Sequence, residues 1–185
     1  MTSHRPYHHG DLRTALVRAA VAAIEEAGPA ALTVRSVARR AGVTHTAAAY
    51  HFGDKAGLLT AIAVEGYRQL GDALDAARRD GTFLDVGVAY VEFAVDHRAY
   101  FAVMFRPELL HRDDDELLRA RARTAELLYG TSSPTDADLV DGVAAWSIVH
   151  GLATLWLDGN VPSRLGSDPA AVARTVAARL HAPMP

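Results

Sequence analysis

The sequence contains no cysteine and only one lysine, Lys55. Without cysteine, disulfides, thiolate metal sites and thiol nucleophiles are all excluded, and a reducing cytoplasm is the compartment expected. The longest apolar run, residues 143–157, is interrupted by Ser147, His150 and Gly151 and falls short of the roughly 20 residues of a bilayer-spanning helix. The first sixteen residues are polar and His-rich, unlike the apolar core of a signal peptide. No membrane partner is expected. His8 and His9 are adjacent, with no third and fourth ligand nearby in sequence, so neither a metal nor a cofactor is expected. The chain also lacks H-E-x-x-H, G-x-S-x-G, a Gly-rich phosphate loop and a Glu-x-x-His pair, which argues against an enzyme.

What is present is unevenly charged. Residues 1–60 carry seven basic and four acidic side chains, whereas the remainder carries twelve basic and eighteen acidic ones. A basic N-terminal module joined to an acidic body is what a chain needs if one end meets phosphate and the other stays solvated. Ordinary surface variation is the plainer alternative.

Apolar positions recur at helical spacing throughout, with no sustained alternation of period two. The expected fold is all-α. A first helix over 11–27, capped by Asp11 and stopped by Gly28 and Pro29, carries the stripe Leu12, Leu16, Ala19, Ala20, Ala23 and Ile24. Thr33 caps a helix over 34–41, with Val37 and Ala38 inward and Arg35, Arg39 and Arg40 outward. Gly42 turns the chain, Thr44 caps a short helix to about Phe52, and Asp54 caps a long one running through Leu70. Further helices are expected over about 82–97, 99–105, from 113–115 onward, 137–158 and 168–181. The expected division is a tail and helix-turn-helix over 1–55 and a regulatory, dimerising helical bundle over 56–185.

The run T-V-R-S-V-A-R-R-A-G-V-T, residues 33–44, has the logic of a helix-turn-helix. Ala38 is small enough for two helices to cross closely, Gly42 accepts a positive φ, and Val37 and Val43 fill the space between them. In such a pair the second helix enters the major groove while the first crosses the backbone. The outward residues of that helix are Thr44, His45, Thr46, Ala47, Tyr50 and His51. Their hydroxyls, imidazoles and methyls can meet base edges or phosphates. Thr33 and Arg35 on the first helix, Arg5 in the tail and Lys55 at the start of the long helix are the expected backbone contacts. A solvated tail is an equal reading for residues 1–6, and a helical interaction module without DNA affinity is the alternative for the whole motif. A small helical enzyme is a more distant one.

Residues 10–70 resemble the DNA-binding domain of the TetR family of transcriptional regulators. The run A-G-V-T-H-T-A-A-A-Y-H-F-G-D-K-A-G-L-L, residues 41–59, is similar to the family's A-G-V-S-x-x-x-x-Y-x-H-F-x-D-K-x-x-L-L. The resemblance implies that Thr44, His45, Thr46, Tyr50 and His51 face DNA, that Phe52 is core, and that Lys55 contacts phosphate. The family places its tyrosine where this chain has Ala49, and here it comes one residue later as Tyr50, a turn of about 100° around a helix. The C-terminal half resembles a subgroup named for a Trp, a His and a Gly, here Trp146, His150 and Gly151, as does the opening R-P-Y-H-H-G-D-L-R, residues 5–13. A ligand-responsive homodimeric repressor of a roughly palindromic double-stranded operator is implied.

In the acidic body, residues 145–157 are apolar around the whole helix, which predicts burial on both sides. Val149, Leu152 and Trp156, with Val172, Val176 and Leu180 of the last helix, are the expected dimer interface within a four-helix bundle. Tyr90, Phe93, His97, Phe101, Met104, Phe105, Trp146 and His150 fit either an apolar cavity for a small apolar or aromatic effector or a plain core.

Overall fold

The computed structural model describes residues 9–129 and 136–181, a stretch that is all-helical and contains no strand. Arg5 therefore lies outside the described residues. Helix α1 spans His9–Ala31, and the side chain of Asp11, expected to cap it, lies outside the described residues. The break expected after Ala27 is a kink: Gly28 takes φ 73° and ψ 166°, and helical structure resumes at once through Pro29 to Ala31. Proline restarts a helix easily because its missing N–H falls where no partner exists anyway.

Helix α2, Val34–Arg40, is capped as the sequence predicts. Thr33 Oγ1 accepts from the Ser36 amide at 3.0 Å and Ser36 Oγ accepts from the Thr33 amide at 3.2 Å. Gly42 turns the chain at φ 70°. Thr44 then caps α3, His45–Phe52, by accepting from the Ala47 amide, and Asp54 caps α4, Lys55–Asp80, by accepting from the Gly57 amide at 2.8 Å. Leu16, Ala20 and Ile24 of α1, Val37 and Ala38 of α2, Phe52 of α3 and Leu58, Leu59 and Ile62 of α4 close over one another with almost no exposure.

Helix α4 continues past this small core, burying Leu70 and Leu74 in a second. Around its far half lie α5 (Phe83–Asp96), α6 (Arg98–Met104) and α7 (Asp115–Tyr129), followed by α8 (Asp136–Leu157) and α9 (Pro169–Ala177). Short 3-10 turns at Pro107–Leu109, Ser163–Leu165 and Ala178–His181 fill the connections, so the last α-helix ends four residues before the expected 181. Helix α5 is sandwiched between α4 on one side and α8 and α9 on the other, while α6 leans back onto α1. Ion pairs Arg68–Glu116 and Arg123–Asp72 link α7 to α4 at the surface. Arg174 of α9 holds Asp85 of α5 at 2.8 Å. Asp85 is pulled down to about 2 by hydrogen bonds from the Thr82 amide and hydroxyl and by Arg174.

Within one chain, helix α8 is buried on one side only. Ala145, Val149, Leu152 and Ala153 are buried in the chain's own core, but Val140, Val143 and Leu155 are exposed, Val140 at 67%. These three share a stripe with Ala144, Ser147 and Gly151 at helical spacing. By length and composition residues 138–157 would also suffice to cross a membrane, a helix longer than its apolar run. Its buried face is part of the globular core.

The turn between α3 and α4 depends on Gly57, where an added Cβ would fall on the backbone carbonyl of Phe52. Because backbone has to move to relieve that clash, Gly57→Ala is expected to destabilise the protein by about 1–3 kcal/mol. Urea unfolding would check this, and an unchanged midpoint would show that the turn tolerates a side chain.

Candidate nucleic-acid interface and inner cavity

Helix α3 is held from beneath by buried Ala48 and Phe52, which leaves its outer face free. Thr44, His45 and Thr46 are exposed, Ala47 and His51 are half-buried, and Tyr50 is 83% exposed, the most exposed large apolar side chain among the described residues. Ala49, at the position where the resemblance expects tyrosine, is half-buried beside it. Thr44 uses its oxygen as an acceptor for the helix cap, so its hydroxyl proton remains for a partner outside. The ring of Tyr50 meets His51 edge-on at 5.6 Å.

Beside α3, a shallow depression of about 540 Å³ is lined by Thr33, Arg35, Ser36, Arg39 and His45. Arg35 and Arg39 are exposed and have no carboxylate partner among the described residues. Arg40 differs: it donates to both oxygens of Glu26, at 2.7 and 2.6 Å, binding α2 to α1. Arg13 lies over the Phe52 ring at 5.8 Å. The outward basic surface of this unit thus centres on Arg35 and Arg39.

Lys55 has a more constrained place than the sequence reading gave it. It is half-buried, and its Nζ donates to the Ala30 carbonyl at 2.8 Å, tying the start of α4 to the end of α1. The Asp54 carboxylate occupies the N-terminus of α4. The Gly57 amide, and then His111, hold that carboxyl below its usual range. Two ammonium protons of Lys55 remain for a phosphate.

In the body, the aromatic residues form one connected group. The Tyr90 hydroxyl, at the centre of it, accepts from Trp146 Nε1 at 3.1 Å and lies 2.8 Å from His150 Nδ1. The hydroxyl accepts the indole N–H and has no other acceptor among its described partners, so giving its proton to Nδ1, with the His150 proton on Nε2, is the arrangement that leaves none of the three groups orphaned. Burial pushes the Tyr90 hydroxyl up and the His150 imidazole down. His150 also touches Phe101 and Phe105, at ring distances of 5.4 and 4.8 Å.

Phe105 and His150 form a common wall between two cavities. One, of about 280 Å³, is shared by Met104, Trp146, Tyr67, Leu110, Leu117, Arg112 and Arg121. The other, about 400 Å³, is bounded by Phe101, Arg98, Arg106, Thr154 and Asp158. Tyr90 lies behind this wall, and Phe93 stacks on His97 at 4.7 Å, both away from the cavities. The side chains considered for a ligand site therefore do not share one space: Met104, Phe105, Trp146 and His150 line the first cavity, and Phe101 joins Phe105 and His150 at the second. Tyr67, Leu110, Arg112, Leu117 and Arg121 were not legible from sequence.

Of the apolar residues expected at a dimer interface, Val149, Leu152 and Val172 are buried within the chain itself, and Trp156 and Val176 are half-buried. The side chain of Leu180 lies outside the described residues.

An exposed helix held over a turn at Gly42, flanked by arginines and mounted on a helical body, defines a helix-turn-helix regulator. The chain matches the family described as bacterial regulatory proteins, tetR family, over residues 16–62, and the tetracyclin repressor-like C-terminal domain over residues 83–180. It belongs to the TetR family of transcriptional regulators, which are not enzymes. It is 33% identical over 122 residues to the HTH-type transcriptional regulator BetI of Stenotrophomonas maltophilia (strain R551-3), covering 57% of this chain and 62% of that one. The chain thus spans less than two thirds of that relative. A protein with unknown function from Rhodococcus sp. RHA1 superposes with a TM-score of 0.78 at 30% identity, over 96% of this chain and 97% of the other. The TetR family regulator PfmR from Thermus thermophilus superposes at 0.67 with 20% identity, over 89% and 96%, which supports the fold.

The neutral state of His150 gives a pH test. Its folded pKa lies below the unfolded value of about 6.5, so its contribution is full above that value and is lost as pH falls toward the folded one. The unfolding midpoint should therefore drop between about pH 7.5 and 5.5, and His150→Gln should reduce that drop. A pH profile indifferent to the substitution would mean that His150 titrates as if unburied.

Proposed function

We propose that this protein is a sequence-specific, homodimeric repressor that binds a roughly palindromic operator and releases it when a small molecule occupies the body. The observation that carries this reading is the outward face of α3, where an aromatic side chain as exposed as Tyr50 stands among hydroxyls and imidazoles beside Arg35 and Arg39. Such a surface has little reason to exist without a partner. Residues 1–55 act as the DNA-binding unit and residues 56–185 as the regulatory one, of the Trp-His-Gly type through Trp146, His150 and Gly151. The site of action is the cytoplasm, with no membrane partner.

Thr44, His45, Thr46, Ala47 and His51 read the major groove, while Thr33, Arg35, Tyr50, Lys55 and, from the tail, Arg5 hold phosphates. Tyr50 takes the phosphate role that the family gives to the preceding position, since its hydroxyl is the one that projects. Two copies join through the exposed stripe of α8, Val140, Val143, Ala144, Ser147, Gly151 and Leu155, together with Trp156 and Val176. The small residues at its centre permit close helix approach, and the apolar ones exclude water. A two-fold pair of recognition helices matches a palindromic site.

Coupling between the cavity and the operator has a short physical route. Leu110 and Arg112 line the smaller cavity, and His111 between them donates its amide to Thr60 Oγ1 at 2.9 Å and places Nε2 3.2 Å from Asp54. A ligand that moves residues 110–112 therefore pulls on the residue that caps α4, next to the end of α3.

Selection of bound duplexes from a random pool, followed by a salt series, tests the DNA reading. Affinity should fall steeply with salt. Lys55→Ala should weaken all sequences alike, whereas changes at His45 or Thr46 should shift base preference. A flat salt response would favour an interaction module without DNA affinity. Val143→Asp should convert the dimer to monomer in sedimentation, and a dimer that survives it would place the interface elsewhere.

A further inference from the structure

We propose that the smaller cavity takes a small organic acid, its carboxylate held by Arg112 and Arg121 and its apolar body laid on Phe105, Leu117 and Trp146. This deepens the ligand-responsive reading above and rests on it.

Charge points to an anion. The body has an excess of acidic residues, eighteen against twelve from residue 61 onward. The lining of this cavity reverses that balance, with two arginines and no carboxylate. In the body, Arg68, Arg79, Arg123 and Arg174 pair with a carboxylate. Arg112 and Arg121, like Arg98, Arg106 and Arg119, have no carboxylate partner among the described residues, and they are the two that share this cavity. Two of the nearby acids are engaged: Asp114 accepts from the Leu117 amide, and Glu116 pairs with Arg68. Arg121 lies beside the Tyr67 hydroxyl, which itself donates to the Met104 carbonyl at 2.8 Å. That hydroxyl is occupied as a donor, so it steadies the guanidinium and offers no competing proton.

The rest of the lining is mostly apolar, from Met104, Phe105, Leu110, Leu117 and Trp146, so a ligand meets two guanidinium groups and an apolar floor. This arrangement accepts a carboxylate on an apolar body and disfavours an amine, which would find two positive charges and no carboxylate. At about 280 Å³ the space is at the small end of ligand pockets, so a compact aromatic or short aliphatic acid fits better than a long chain.

Calorimetry on the full-length protein with cinnamate, phenylacetate and octanoate, each beside its neutral amide, tests the assignment. At least one acid should bind about tenfold or more tightly than its amide. The double variant Arg112→Gln, Arg121→Gln should lose about that factor for the acid and keep the amide affinity, with circular dichroism confirming its fold. Equal binding of acid and amide, no binding by any of the three acids, or undiminished acid binding by the variant would overturn the proposal. Operator affinity, read separately on selected duplexes, distinguishes the two readings. Acid binding that leaves that affinity unchanged supports the acid site and overturns ligand-induced release. An acid site in a protein that selects no duplex supports the site and overturns the DNA reading.

Discussion

The structure depends on one helix being buried at both ends by different neighbours. Helix α4 places Leu58, Leu59 and Ile62 in the core of the small N-terminal unit and Leu70 and Leu74 in the core of the body, all essentially without exposure. Withdrawing either end would expose several large apolar side chains, each worth about 1.5–3 kcal/mol on burial. The two units therefore cannot separate freely, and any rearrangement between them has to be carried by tilt or shift of α4 and of the segments that touch it. The tie between Lys55 and the Ala30 carbonyl and the cap from Asp54 fix the near end of that helix.

The second organising feature is the buried hydroxyl of Tyr90. It satisfies an indole donor and an imidazole acceptor at once, so three polar groups from α5 and α8 enter the core without an orphaned atom. Replacing any one of them leaves the others buried and unpaired, which costs more than the bond itself contributes. The same arrangement dictates which His150 nitrogen carries the proton. His150 and Trp146 also line the smaller cavity, so the network that satisfies the core fixes two of the side chains a ligand meets.

Between these two features runs the segment from Phe105 to Asp114. It has little regular structure beyond a 3-10 turn, yet alternate side chains face opposite ways, Leu110 and Arg112 to the cavity and His111 to Asp54. The contact between His111 and Asp54 is itself exposed and weak. Its importance is positional, because the backbone amide of His111 also bonds to the buried Thr60 and so cannot drift from α4.

The all-helical fold, the turn at Gly42, the caps at Thr33, Thr44 and Asp54 and the outward face of α3 were legible from sequence, because each is decided within a few residues by helical period and local hydrogen bonding. The same local logic read a full stop at Gly28, where the helix only kinks and resumes through Pro29 to Ala31. It set Arg40 outward beside Arg35 and Arg39 without showing that Glu26 of α1, fourteen residues away, takes up its charge. The faces of α8 show the limit most clearly. Its sequence is apolar all round, so period alone cannot say which side meets α5 and α9 and which is left as the stripe of Val140, Val143 and Leu155. Likewise Arg112 and Arg121 look like any surface arginines until α7 and the 105–114 connector are folded against Trp146 and His150. Sequence alone determined the class of the protein and the helix that faces outward, since those rest on contacts between near neighbours. Only the tertiary structure decided the cavity, its charge and the exposed stripe, since these are made by residues brought together from helices far apart in the chain.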